Sequence, residues 1–250
     1  MNNIAKAVSI KYGLLIAAMG IAVSTLTYTL GGGTVSNAGG FLVAAVTALT
    51  WLVKIVLLGM SHYEFNKKNN GYISFRQAIV IGLLVIAISH ILNLAFSLIS
   101  YQFFMKETLD QQLENVGGYG VSVSYVQMVL AASISGILLD IVVLFFVITI
   151  EAHWKIYKKA GKEGWAALVP IYSTVVMLDI VGKPAIWLLL LFIPFVNIIF
   201  AIWMVNLLAK RFGKDEGYTV GLLLLPFVFY PMLGLSEEQM LPEDGVNLQY

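Results

Sequence analysis

Four polar side chains interrupt runs that are otherwise apolar: Lys54, His90, Asn93 and Asp140. A charged residue at the centre of a membrane-spanning helix costs about 2.5 to 3.5 kcal/mol, so it is expected to be paired or at work. Counted at about 1.5 Å per residue from the basic ends of their runs, Lys54, His90 and Asp140 fall within about two helical turns of one depth. They are therefore expected to meet inside a helical bundle, with Asn93 on the same helix face as His90. Two chemistries suit the trio. One is a proton or ion relay in which Asp140 is the carrier, His90 titrates beside it and Lys54 is the counter-charge. The other, plainer, is a self-neutralising Lys54 to Asp140 pair that sets helix register, with His90 bonded to Asn93 or to nearby backbone. Lys54 can also snorkel to the interface, which would dissolve the cluster.

A second candidate is Pro194 beside Asn197, where a proline inside an apolar run opens backbone of the kind transporters use at binding sites. Asn197 and Asn206 serve equally as hydrogen-bonding groups between helices. Asp179 and Lys183, one turn apart, read as a local ion pair. Ala132 and Gly136 form a small-xxx-small pair that permits close helix packing. His62-Tyr63-Glu64 and Glu151-Ala152-His153 bring potential ligands close, but neither has metalloprotease spacing or a third histidine, so they read as solvated loop polarity. With no P-loop, no G-x-G-x-x-G, no G-x-S-x-G and no cysteine, no catalytic set, metal site or cofactor site is expected.

The elements that must position these residues are membrane helices. The chain has 250 residues, 59% hydrophobic and only 12% charged, which makes the bilayer its expected solvent. A net charge of +1 leaves no basic face for nucleic acid. Apolar blocks of membrane-spanning length run over about 12–30, 39–60, 75–101, 124–150 and 185–208, with shorter ones at 165–181 and 220–235. Twelve of the fifteen lysines and arginines fall at the N-terminus, at 67–76, at 155–162 and at 210–214. The positive-inside rule places these on the cytoplasmic side, with the N-terminus inside. The loop at 102–123 has an acidic bias and is expected outside, with a short surface helix over 106–113 ended by Gly117-Gly118-Tyr119-Gly120. The last run, 220–235, is short and contains Pro226 and Pro231; it either crosses as a seventh span or re-enters and returns. Seven crossings are the first expectation.

Composition shifts near residue 151, since all six prolines follow it. The expected parse is a four-span module over 1–150, a second module of three apolar segments over 151–235, and an acidic, disordered tail over 236–250. Through Lys11-Tyr12-Gly13 and Gly71-Tyr72-Ile73-Ser74-Phe75 with Ala78 and Gly82, the first half resembles an uncharacterised four-helix inner-membrane family of Bacteroidota. The second half carries Ala160-Gly161-Lys162-Glu163-Gly164-Trp165, Val181-Gly182-Lys183-Pro184, Ile193-Pro194-Phe195-Val196-Asn197, Phe212-Gly213-Lys214 and Pro226-Phe227-Val228-Phe229-Tyr230-Pro231. It resembles a small integral membrane domain of unknown function that in some relatives precedes a type I signal peptidase. Ser173 and Asp179 depart from that pattern, and no peptidase domain is present to carry the peptidase activity over.

The expectation is thus an all-α, polytopic transmembrane bundle of six to seven spans in a bacterial inner membrane. Its expected role is non-enzymatic, as a scaffold or accessory subunit of a membrane complex. The alternative is a small-solute or proton-coupled transporter that uses the Lys54, His90 and Asp140 cluster. Its partners would be the lipid bilayer and another membrane protein or a second copy of the chain.

Overall fold

The computed structural model describes residues 3–30, 37–105 and 125–242, and every regular element in them is helical. In chain order these are α1 (Asn3–Leu30), α2 (Asn37–Lys68), α3 (Phe75–Ser100, extended by a π turn at Tyr101–Met105) and α4 (Tyr125–Lys159). There follow a 3-10 turn (Gly164–Leu168), α5 (Pro170–Ile180), α6 (Trp187–Leu191), α7 (Val196–Arg211), α8 (Glu216–Leu224) and α9 (Pro226–Gly234). Four stretches are long and apolar enough to cross a membrane: Asn3–Thr27, Ala44–Lys68, Phe75–Phe103 and Val129–Lys159. Multi-pass membrane insertion follows from these four. The surface helix expected at 106–113 lies outside the described residues.

The chain divides into two compact units, Met1–Gly71 with Gln77–Leu144, and Tyr72–Arg76 with Phe145–Tyr250, so that α4 begins in one and ends in the other. In the first unit, α1, α2, α3 and the first part of α4 bury small and branched side chains against one another, among them Val8, Ala17, Leu58, Ala78, Ile81 and Leu144. Gly82 makes room for Leu144, whose Cδ1 would lie 2.1 Å from an added Cβ. α2 continues past its apolar stretch to Lys68, and this changes the reading of His62 and Glu64. They are helical, not loop residues. His62 is buried, with Nε2 3.1 Å from the Ala78 carbonyl. Glu64 accepts from Lys11 at 2.5 Å, Tyr12 at 2.9 Å and Lys68 at 2.8 Å, joining α1 to α2 at their basic ends. The helix persists because Glu64 and Lys68 are one turn apart in the favourable order, with Lys67 and Lys68 at its carbonyl end.

In the second unit three helices stop in one way. Gly161, Gly182 and Gly213 have φ of 71°, 69° and 66°, a left-handed conformation that glycine adopts without penalty. The next residue, a lysine each time, donates its N–H back to Tyr157, Leu178 or Ala209 at 2.8 to 3.0 Å. The Gly-Lys pairs are therefore helix stops that put an ammonium at each carbonyl end. Tyr157, Val176, Met177, Leu208, Phe212 and Leu233 are among the core residues that these helices share.

The single helices expected over 185–208 and 220–235 are each broken. Pro194 supplies no N–H and Phe195 takes φ 68°, which separates the five-residue α6 from the sixteen-residue α7. Pro226, at the first position of α9, separates it from α8, each nine residues long. The two fold back on one another: Tyr218 donates to the Phe229 carbonyl at 3.1 Å, and Gly221 admits the Phe229 ring. The run over 220–235 is thus a helical hairpin rather than one helix, and four membrane-length helices stand among the described residues where six to seven spans were expected. The acidic stretch from Ser236, expected to be disordered, is held as far as Pro242. Lys214 pairs with Glu238 at 2.6 Å and the Leu241 N–H donates to the Arg211 carbonyl at 2.7 Å.

Candidate functional site: a buried Lys–Asp–His cluster

Three helices of the first unit each supply one polar side chain to a common point. Lys54 of α2 donates from Nζ to both carboxylate oxygens of Asp140 on α4, at 3.0 and 2.9 Å. His90 of α3 lies with Nε2 2.9 Å from Asp140 Oδ2, so the nitrogen that faces the carboxylate is the one that carries a proton. Asp140 is 6% exposed, whereas the Lys54 and His90 side chains are about a fifth exposed. The arrangement satisfies the expensive group first: a carboxylate with three charge-assisted or polar donors needs no water. With neutral His90 the trio has no net charge.

Two neighbours complete the cluster: Trp51, which was not singled out in the sequence, and Gly136, noted there only as half of a small-xxx-small pair. Trp51, three residues before Lys54 and so on the same face of α2, presents its ring 4.7 Å from Nζ, a cation–π contact that keeps the ammonium turned inward. Gly136, one turn before Asp140, faces His90; an added Cβ would stand 3.1 Å from His90 Cε1. The small-xxx-small pair therefore has a local use, making room for the imidazole. Asn93 is not drawn to the carboxylate. Its Nδ2 donates to the Ser89 carbonyl at 2.8 Å, and its amide packs on Gly20 of α1, where an added Cβ would be 2.5 Å from Oδ1. Its role is close packing of α1 on α3.

The space beside the cluster is small. A cavity of about 10 Å³ adjoins Lys54, Asp140, Ser89 and Ile16. That is about the room of one water molecule, too little for a hydrated ion. Among the described residues, no three His, Asp or Glu side chains converge as a metal site would require.

The other expected residues lie in the second unit. Pro194 and the exposed Phe195 form the bend between α6 and α7, and Asn197 opens α7 with its N–H on the Ile193 carbonyl at 2.9 Å. Asn206 accepts from the Thr219 hydroxyl at 3.1 Å, tying α7 to α8. Asp179 pairs with Lys162, while Lys183 lies over the rings of Trp187 and Trp203 at 5.4 and 5.6 Å. His153 is on α4, with Nδ1 2.8 Å from the Thr149 carbonyl and its ring stacked on Tyr230 at 4.6 Å.

Residues 11–119 match the family described as "Protein of unknown function (DUF4199)", and residues 165–241 match the "Family of unknown function (DUF5684)". The chain is a two-part membrane protein. No curated protein and no solved structure matches it. The DUF4199 match covers α1 to α3 with Lys54 and His90 and stops short of α4. Asp140, the residue on which the cluster converges, lies between the two matches. The DUF5684 match takes in the 3-10 turn, α5 to α9 and the docked stretch after them.

Proposed function

We propose that the protein is a non-enzymatic scaffold or accessory subunit of a bacterial inner-membrane complex, with its N-terminus cytoplasmic and another membrane protein or a second copy as partner. The observation that carries this reading is the closed state of the cluster. Both carboxylate oxygens of Asp140 are engaged, Oδ1 by Lys54 and Oδ2 by Lys54 and His90, and the adjoining cavity holds about one water. Such a trio locks α2, α3 and α4 in one register, which is what a rigid membrane platform requires. Basic residues at 67–76 and 155–162 support the cytoplasmic assignment of those ends. Ser89, the hydroxyl residue beside the cluster, donates to the Ile86 carbonyl and not to a base, which supports a non-enzymatic role.

The second reading, a proton-coupled transporter, draws on one contact: a titratable imidazole hydrogen-bonded to an intramembrane carboxylate. Purified protein in vesicles loaded with a pH-sensitive dye separates the two. The scaffold reading expects proton flux under an imposed gradient equal to that of protein-free vesicles, together with a stoichiometric membrane-protein partner or homo-oligomer in mild detergent. Flux above the protein-free rate that Asp140→Asn abolishes would replace the scaffold with the transporter.

A further inference from the structure

The second unit shows where its segments begin and end. Lys159, the last residue of α4, donates from Nζ to the Leu233 carbonyl at 3.0 Å and to the Ser236 carbonyl at 2.8 Å, which brings the end of α9 to the end of α4. Its ammonium also lies 5.5 Å from the Phe212 ring, just past α7. Lys162 pairs with Asp179 at the end of α5. Lys214, just before α8, pairs with Glu238, just after α9. The carbonyl ends of α4, α5, α7 and α9 and the start of α8 therefore share one end of the unit. Every segment after Lys162 leaves that end and comes back to it.

Lengths agree. α7, the longest of these helices, rises about 24 Å, and α8 and α9 about 14 Å each, against a hydrocarbon core of about 30 Å. What lies at the far ends is apolar and uncovered: Phe192 is 68% exposed, Phe195 84% and Leu224 73%. Large exposed aromatic and aliphatic tips are costly in water and favourable in hydrocarbon. Backbone at such a tip must satisfy its own donors. Here the Phe192, Ile193 and Leu225 N–H groups bond to Leu189, Leu190 and Gly221, and the next residues, Pro194 and Pro226, have no N–H to satisfy.

We propose that the second unit is a single-leaflet module: two apolar hairpins, over 184–211 and 216–234, dip into the bilayer from the Lys159 side and return without crossing it. The lysines at 159, 162, 210 and 214 sit in the headgroup layer of that leaflet, and the acidic stretch from Ser236 emerges on the same side. The membrane is thus crossed four times, by the helices of α1 to α4.

The chain has no cysteine, so single-cysteine variants have no background. Lys158→Cys, Gln239→Cys, Phe192→Cys and Leu224→Cys all replace exposed side chains, and each is to be treated in sealed, oriented vesicles with a membrane-impermeant maleimide. Position 239 is expected to react from the same face as position 158. Positions 192 and 224 are expected to stay unlabelled from both faces and to react once detergent dissolves the bilayer. Labelling of position 239, 192 or 224 from the face opposite to 158 overturns the proposal, because a hairpin then crosses. Labelling of 192 or 224 from the same face as 158 overturns it too, because the tips then lie in water.

Discussion

Removing Lys54 and Asp140 one at a time and then together tests whether the cluster is a register lock. Lys54→Met leaves a carboxylate that is 6% exposed with His90 as its remaining donor. Breaking a buried pair in this way costs about 3 to 5 kcal/mol, and the surviving imidazole bond argues for the lower end, about 3 kcal/mol. Asp140→Leu should cost less. The Lys54 side chain is already 21% exposed and rests on Trp51, so its ammonium can swing along the stem toward the interface at about 1.5 kcal/mol. The double variant Lys54→Met/Asp140→Leu buries no charge, and replacing both partners by apolar groups is close to neutral relative to the milder single variant, again about 1.5 kcal/mol. The expected coupling is therefore about 3 kcal/mol, at the top of the range for contacting residues. Reversible unfolding in mixed micelles, followed by helical circular dichroism as denaturing detergent is titrated in, measures all four proteins. A double variant whose loss equals the sum of the single losses would refute the reasoning, because Lys54 would then have no energetic contact with Asp140.

Gly234 of α9 faces the backbone of α4: an added Cβ would stand 2.4 Å from the Ala152 carbonyl oxygen and 2.7 Å from its Cα, and main chain cannot rotate aside. Gly234→Ala is expected to cost about 1 to 3 kcal/mol and to lower the thermal midpoint of the solubilised protein, while Gly71→Ala, strained by its φ of 80° but free of clashes, serves as a comparison. Lys159→Met removes charged donors from the carbonyls of Leu233 and Ser236, worth about 1.5 to 3 kcal/mol. Amide hydrogen exchange should rise over 226–241 and stay unchanged over 3–30; an unaltered 226–241 would mean that Lys159 does not hold α9 in place.

The four crossing helices were legible because length and apolarity alone decide whether a helix can span hydrocarbon, and the sequence states both directly. The meeting of Lys54, His90 and Asp140 was legible for a related reason. Depth along a straight helix follows from residue count, and a lone charge in lipid must find its partner. Depth without azimuth was not enough for Asn93, which shares a helix face with His90 yet turns back to Ser89 and packs on Gly20. Gly136 likewise acquired its meaning from the imidazole opposite it, which a spacing cannot show. His62 and Glu64 were misplaced in a loop because charge was taken to end α2, whereas the pairs made by Glu64 with Lys11 and Lys68 let it continue.

In the second unit hydropathy registered apolar mass, and the prolines registered breaks, but neither states direction. Whether a broken apolar run goes on across the bilayer or doubles back depends on which distant groups its ends meet. Lys159 on Leu233 and Ser236, and Lys214 on Glu238, are contacts between residues 24 to 77 positions apart, and such contacts exist only once the chain is folded. Composition and period by themselves determined that this is a helical membrane protein, where its four longest apolar helices lie, and which polar residues must find one another. Tertiary structure alone decided that the broken apolar runs between Lys159 and Ser236 fold back on themselves, because chain reversal is settled by the pairing of ends and not by the apolarity of what lies between them.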